Sequence, residues 1–269
     1  SFITQLQGSV MNHTFSLIWN ALTRSYQPVS EHAKRICKGR HGKLLMAAVI
    51  ASVAQGTVAG PQGGVVVDGN AHINYQDALT LINQHTDAIT INWQNFDIAA
   101  GETVTFLQPD ANSYALNRVL TGDGTQINGQ LNANGRVFVL DANGVLFGES
   151  AQVNVGSLVA STLDISDADF ANGHFTFEGQ GNAGKVTNLG SITVADTGAV
   201  ALLGGQVSNQ GVIRARLGNV ALAAGNKVTL DFAGDGLLNV QVDESTAQAL
   251  VNNGGLIQAD GGSVLMTAH

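Results

Sequence analysis

The chain has 269 residues, 44% of them hydrophobic and only 12% charged, with 33 Gly and 3 Pro. So much apolar residue beside so little charge excludes a largely disordered chain, whose composition runs the other way. The net charge of −8 is unevenly spread. Six of the 12 Lys and Arg precede residue 44, whereas from residue 60 onward six basic residues face 19 acidic ones, a net −13 that repels nucleic acid and anionic membrane.

The first 59 residues read as an address. In "GRHGKLLMAAVIASVAQGTVAG" (39–60), basic residues precede an apolar run from Leu44 to about Val53, and small residues follow. Ser52-Val53-Ala54 and Thr57-Val58-Ala59 both fit a signal-cleavage site, and cleavage after Ala59 is the preferred reading. The run is too short to span a bilayer, which takes about 20 residues. Upstream, "MNHTFSLIWNALTRSYQPVSEHAKRICKG" (11–39) resembles the extended signal region of very large exported proteins of Gram-negative bacteria. That resemblance puts the natural start at Met11 and makes residues 1–10 non-native upstream sequence. The single cysteine, Cys37, lies in the address, so the chain after Ala59 can form no disulfide.

The chain from residue 60 to 269 reads as one β-rich domain. Residues 60–115 are strand-rich without repetition, including a valine run, "AITINW" and "TVTFL", and are assigned to an N-terminal β cap. Rungs are expected over 116–269. "NLGSITVADTGAVAL" (188–202), "NQGVIRARLGNVAL" (209–222) and "NGGLIQADGGSVLM" (253–266) align, with Asn188, Asn209 and Asn253 separated by 21 and 44 residues. "NGQLNANGRVFVL" (128–140) is a looser copy. Each unit holds two short alternating runs that cannot bury their own apolar face, so units must stack, at about 4.8 Å per rung. A parallel β-helix follows, with Ile192, Ile213 and Ile257 in one inward column and Val200, Val220 and Val264 in another. The repeated glycines are expected to supply positive φ at the corners. A β-sandwich would explain turns every ~8–12 residues but not the fixed spacing.

Two segments interrupt the rhythm. Residues 163–179 read as a polar turn and an alternating strand from His174 to Phe177. Residues 228–251 read as a hairpin about Asp235-Gly236, then a short helix after Ser245. In "NANGRVFVLDANGVLFG" (132–148), two Asn-Gly pairs suggest a hairpin. The rung spacing instead makes both pairs corners, with Val137 and Val139 pointing inward.

"DAITINWQNFDIAAGETVTFLQP", "ALNRVLTGDGTQINGQLNANGRVFVLDANGVLFG" and "VASTLDISDADFANGHFTFEG" occur in that order. Together they resemble the N-terminal secretion domain of two-partner-secretion exoproteins: filamentous haemagglutinins, high-molecular-weight adhesins, haemolysins and contact-dependent-inhibition toxins. The resemblance covers Met11–His269. It implies an all-β, right-handed parallel β-helix with an N-terminal cap and extra-helical strands. It also implies Sec export, recognition by an outer-membrane β-barrel transporter with periplasmic docking domains, and release or retention at the cell surface. The family's Asn-Pro-Asn-Gly-aliphatic hallmark matches Asp141, Ala142, Asn143, Gly144 and Val145; its Asn-Arg-Val element matches Asn117, Arg118 and Val119. Asp141 keeps an acceptor for its own turn backbone, whereas Ala142 lacks the fixed φ of proline. Arg118 has two readings, a transporter contact or a satisfier of buried carbonyls.

Other chemistry reads poorly. "GQGNAG" (179–184) fits a phosphate-binding pattern but leads into a strand, not the helix such a site needs. His72, His85, His174 and His269 are scattered, so no metal or cofactor is expected. Asp164, Asp167 and Asp169 read as local capping. The leading function is therefore a non-catalytic secretion and folding-nucleation module of a large exported protein, which could reach a host surface through its full length. A carbohydrate- or host-binding adhesin module and a polysaccharide-cleaving β-helix enzyme are the alternatives.

Overall fold

The computed structural model describes residues 60–179, 184–232, 238–246 and 248–269, together with the backbone of two leader strands. The chain divides into two units, 1–53 and 54–269. In the first, Phe15–Asn20 and Ser25–Ser30 pair antiparallel. The apolar run from Leu44 and the cleavage position Ala59 lie outside the described residues.

The second unit is a three-faced parallel β-helix. Its first face stacks Leu79–Gln84, Thr103–Leu107, Gln130–Ala133, Gln152–Val155, Ser191–Val194, Val212–Arg214 and Leu256–Gln258. Its second face stacks Ala88–Trp93, Tyr114–Val119, Arg136–Leu140, Ser157–Ser161, Ala199–Gly204, Asn219–Ala224 and Ser263–Ala268. The third, shorter face stacks Thr125–Ile127, Val145–Phe147, Lys185–Asn188, Gln206–Asn209 and Leu250–Asn253, with Ile98 bridged to Ile127. The predicted columns form in register: Ile192 pairs with Ile213 and Ile213 with Ile257, while Val200 pairs with Val220 and Val220 with Val264. Val137 and Val139 are fully buried in the axial core, as the corner reading requires.

The repeated asparagines close a corner with a polar ladder. Asn188 donates to Asn209 and Asn209 to Asn253, each at 2.7 Å, and Asn188 and Asn209 are wholly buried. A buried amide is tolerated because its neighbour one rung away supplies the missing partner.

The corner glycines work differently from the expectation. Gly190, Gly211 and Gly255 form one column and Gly156, Gly198, Gly218 and Gly262 another, and none has positive φ. A Cβ on Gly211 would lie 2.2 Å from the Gly190 carbonyl oxygen, and one on Gly218 1.9 Å from that of Gly198. These glycines are therefore required by the closeness of successive rungs. The left-handed position at one corner falls instead on the preceding residue: Thr197 (φ 65), Leu217 (φ 53) and Gly261 (φ 75).

The cap is shorter than 60–115. Val65–Asp68 runs antiparallel to Ala88–Trp93, and Ala71–Gln76 runs antiparallel to Leu79–Gln84. Parallel stacking already begins with Leu79–Gln84 on Thr103–Leu107 and Ala88–Trp93 on Tyr114–Val119. The early rungs escape the repeat because side chains turn their corners. Glu102 accepts from the Ala99 N–H at 2.8 Å, and Gln108 bonds Asn134 through its own backbone at 2.8 Å in both directions.

Both interruptions leave the solenoid between its second and third faces, and they meet outside it. Phe175–Glu178 pairs antiparallel with Lys227–Phe232, which pairs antiparallel with Leu238–Glu244. A one-turn helix, Asp167–Ala171, precedes this sheet and is capped by Ser166, whose Oγ accepts from the Asp169 N–H at 3.0 Å. The expected helix after Ser245 is instead a turn closed by Ala249 N–H to Thr246 C=O at 3.1 Å.

This outer sheet gives the second face a second core. The outward column runs Leu116, Phe138, Val159, Ala201, Ala221 in register, and all five are buried under the excursions. Phe138 contacts the rings of Phe170, Phe175, Phe177 and Phe232 at centroid separations of 5.3 to 6.5 Å. Burial of each large side chain contributes about 1.5–3 kcal/mol. Burial on both sides explains why Ala199–Gly204 and Asn219–Ala224 read as continuous small and apolar runs rather than as alternation.

Candidate functional site

The two short elements singled out by resemblance occupy successive rungs of one corner. Asn117 pairs with Val139 and Arg118 with Leu140, so Asn117-Arg118-Val119 lies beside the strand that enters Asp141-Ala142-Asn143-Gly144-Val145.

Asn117 points inward and is fully buried. It accepts from the Trp93 indole N–H at 3.0 Å and donates to the Phe138 carbonyl at 3.1 Å, so one amide ties three rungs. Val119 packs at the edge of the same core.

Arg118 points outward and holds the first excursion. Its guanidinium donates to Asp164 at 2.9 Å, to Asp167 at 2.7 Å and to the Ile165 carbonyl at 2.6 Å. Burial acts to lower its pKa, but hydrogen bonds and charge from Asp167 and Asp164 outweigh this and raise it, so the group stays cationic. Arg118 thus donates to one carbonyl and two carboxylates of the excursion, and to none of the cap carbonyls of the expected reading. Asp169 completes the Ser166 cap through a 2.6 Å bond from the serine hydroxyl, in line with the capping role expected of this aspartate cluster.

Asp141 is buried to 1% exposure and organises its own turn. Oδ1 accepts from the Asn143 N–H at 2.9 Å, Oδ2 accepts from the Thr125 hydroxyl at 2.8 Å, and the Asp141 carbonyl accepts from the Gly144 N–H at 3.0 Å. Burial raises the carboxyl pKa, and the bonds from Asn143 and Thr125 only partly oppose it. Gly144 has φ +133 and accepts from the Thr125 N–H at 2.9 Å. Val145 is buried, Ala142 and Gly144 are half-buried, and Asn143 is exposed. The first excursion returns onto this turn: a Cβ on Gly184 would sit 2.4 Å from the Ala142 carbonyl oxygen.

Between the two elements lies a groove walled by Arg118, Val119, Leu140, Ala142, Thr162 and Leu163. Thr125 and Trp93, which fix Asp141 and Asn117, were not singled out from the sequence; they lie in other rungs, where only the stacked register reveals them. Gly184 leads directly into the strand Lys185–Asn188, so "GQGNAG" does not open a helix.

The capped parallel β-helix is preceded in sequence by a basic leader with an apolar run, the pattern of a chain addressed for export. The family model for the TPS secretion domain matches residues 57–269, and that for the extended signal peptide of type V secretion systems matches residues 11–60. The chain belongs to the TPS secretion domain family. It resembles a heme/hemopexin-binding protein of Haemophilus influenzae, with 38% identity over 208 residues, 74% of this chain and 23% of that protein. A second heme/hemopexin-binding protein of that organism is 42% identical over 84 residues, 31% of this chain and 9% of that protein. The crystal structure of the HMW1 secretion domain from Haemophilus influenzae superposes with a TM-score of 0.72 at 37% identity, covering 78% of this chain and 56% of that one. The chain therefore spans under a quarter of the length of its first relative. It is the secretion-targeting domain of a two-partner exoprotein, exported through the periplasm.

Proposed function

We propose that Asn117, Arg118, Val119, Asp141, Ala142, Asn143, Gly144 and Val145 act twice. In the unfolded chain they are read by the periplasmic docking domains of a dedicated outer-membrane β-barrel transporter. After passage they build the corner that nucleates the solenoid. The observation that carries this reading is the burial of Asn117 and Asp141, at 0% and 1% exposure. Side chains so enclosed cannot be touched in the folded domain, so any partner that reads them must do so before folding. Once folded, Asn117 joins three rungs and Asp141 fixes the next turn, and each later rung adds to a preformed edge.

The test is binding of the purified docking domains to residues 60–269, presented folded or freshly diluted from denaturant. Capture of the unfolded chain alone is expected, reduced by Asn143→Ala with Gly144→Ala. Equal capture of both forms, or secretion unchanged by that double variant, would refute the reading. The domain is proposed to be non-catalytic, and the activity of any longer protein it heads lies outside this module.

A further inference from the structure

The third face of the solenoid is hollow. Its strands Thr125–Ile127, Val145–Phe147, Lys185–Asn188 and Gln206–Asn209 are only three or four residues long, so its two corners lie close together. Two hollows of about 320 and 450 Å³ lie along it and meet at Gln126. Asn95, Asp97 and Asn128 wall the first; Asn143, Lys185 and Thr187 wall the second. One outward column forms the floor, running Asp97, Gln126, Leu146, Thr187, Ser208 in register, one residue per rung. Gln126 is exposed and the other four are half-buried. The column lies within the stack, since Asn252 continues it beyond Ser208.

The floor is rich in hydrogen-bonding groups and poor in charge. Asp97 is a fixed acceptor: Oδ1 takes the Gln126 N–H at 2.6 Å and Oδ2 takes the Asn95 side-chain amide at 2.7 Å, with further lone pairs left open. Among the described residues, the side chains of Gln126, Thr187 and Ser208 have no hydrogen-bond partner. An amide, two hydroxyls and a seated carboxylate therefore surround the aliphatic side chain of Leu146. The one cation of these hollows, Lys185, stands against two carboxylates, Asp97 and Asp123, so a polyanion is disfavoured there.

The geometry points to a binding site for a neutral, linear glycan of β-linked hexoses lying along the solenoid axis. A rung rises about 4.8 Å, and one pyranose of an extended β-linked chain advances by nearly the same length, so successive sugars meet successive rungs. From Asp97 to Ser208 the floor runs about 19 Å. Sugar hydroxyls, which both donate and accept, pair with Gln126, Thr187, Ser208 and the Asp97 carboxylate, while the apolar face of one ring rests on Leu146. The site exists only in the folded domain, so it stands apart from how the unfolded chain is read during export.

The test titrates residues 60–269 with cellohexaose, mannohexaose and laminarihexaose, and with a hyaluronan hexasaccharide as the acidic comparison. Amide NMR shifts report both affinity and place. Binding of at least one neutral hexaose is expected, with shifts gathered at Asp97, Gln126, Leu146, Thr187 and Ser208. The matching triose should bind more weakly, since it spans fewer rungs. Affinity should fall by about tenfold for Leu146→Glu and about fivefold for Gln126→Ala. It should hold for Gln152→Ala, which changes an exposed amide on the first face. Circular dichroism of all three variants should match the parent. The assignment is overturned by silence with all three neutral hexaoses, by tighter binding of the hyaluronan hexasaccharide, or by shifts confined to another face. Affinity indifferent to both Leu146→Glu and Gln126→Ala would overturn it equally.

Discussion

Replacing Gly211 with alanine isolates the reason the corners need glycine. Its added Cβ would stand 2.2 Å from the Gly190 carbonyl oxygen and 2.6 Å from the Leu189 carbonyl carbon, where ordinary contact begins at 3.4 Å. Both obstacles are backbone, so relief requires the rungs to part by about 1 Å. That displacement stretches Gln210 N–H to Asn188 C=O (2.8 Å), Gly211 N–H to Asn188 C=O (3.0 Å) and Val212 N–H to Gly190 C=O (2.8 Å) beyond useful length. Three bonds at about 0.5–1.5 kcal/mol each set the scale, and the stiffer unfolded chain offsets roughly 0.4–1 kcal/mol. A net loss of about 0.5–4 kcal/mol is expected for Gly211→Ala. Gly254 provides the control, because nothing lies within 4 Å of its Cβ position and its φ is not positive. Gly254→Ala should be neutral or stabilise by about 0.4–1 kcal/mol. Urea titration of residues 60–269 measures both. Midpoints for the two variants lying within the equivalent of about 0.5 kcal/mol would refute close approach as the cause.

Asn209→Ala leaves the buried Asn188 amide without its acceptor and the exposed Asn253 Oδ1 without its donor, and should cost about 1–3 kcal/mol in the same titration. Asp141 has its folded pKa raised by burial above its unfolded value, so its contribution to stability is greatest at acid pH and is lost as pH rises through the folded pKa. Asp141→Asn, which keeps an acceptor for the Asn143 N–H, should therefore be relatively more stable at pH 7 than at pH 4 when melting temperatures are compared with the parent. Arg118→Met strands Asp164, Asp167 and the Ile165 carbonyl. With both carboxylates partly exposed, a loss of about 2–3 kcal/mol is expected, together with faster proteolytic nicking within 164–174.

The later rungs were legible because their corners are made of backbone. Where two strands pass within reach of each other's carbonyls, only glycine fits, and the requirement recurs each turn as a visible spacing. The role of those glycines is not legible in the sequence, since a glycine needed for room looks there like one needed for φ. Thr197 and Leu217 show where the left-handed residues really are, and neither is a residue that advertises such a position. The early rungs were hidden for the converse reason. Gln108, Asn134 and Glu102 turn them through side-chain bonds particular to each corner, which leave no period. At the corner site, Asp141 as acceptor for its own turn was readable, being local in sequence. Its bond from Thr125 and the Asn117–Trp93 bond cross rungs, and appear only once the register is known.

The pairing of the two excursions changes how the solenoid comes apart. A stack in which each turn touches only its neighbours behaves as a one-dimensional chain, free to fray from an end one unit at a time. Here Thr176 faces Thr229 across the outer sheet, their hydroxyls 3.2 Å apart, and the sheet spans the turns between Arg118 and Asn219 like a splint. Loss of a turn beneath it must also uncover the aromatic cluster around Phe138. The spanned turns should therefore open as one cooperative block, with amide-exchange rates converging on a single value there while the cap strands and the last rung exchange independently.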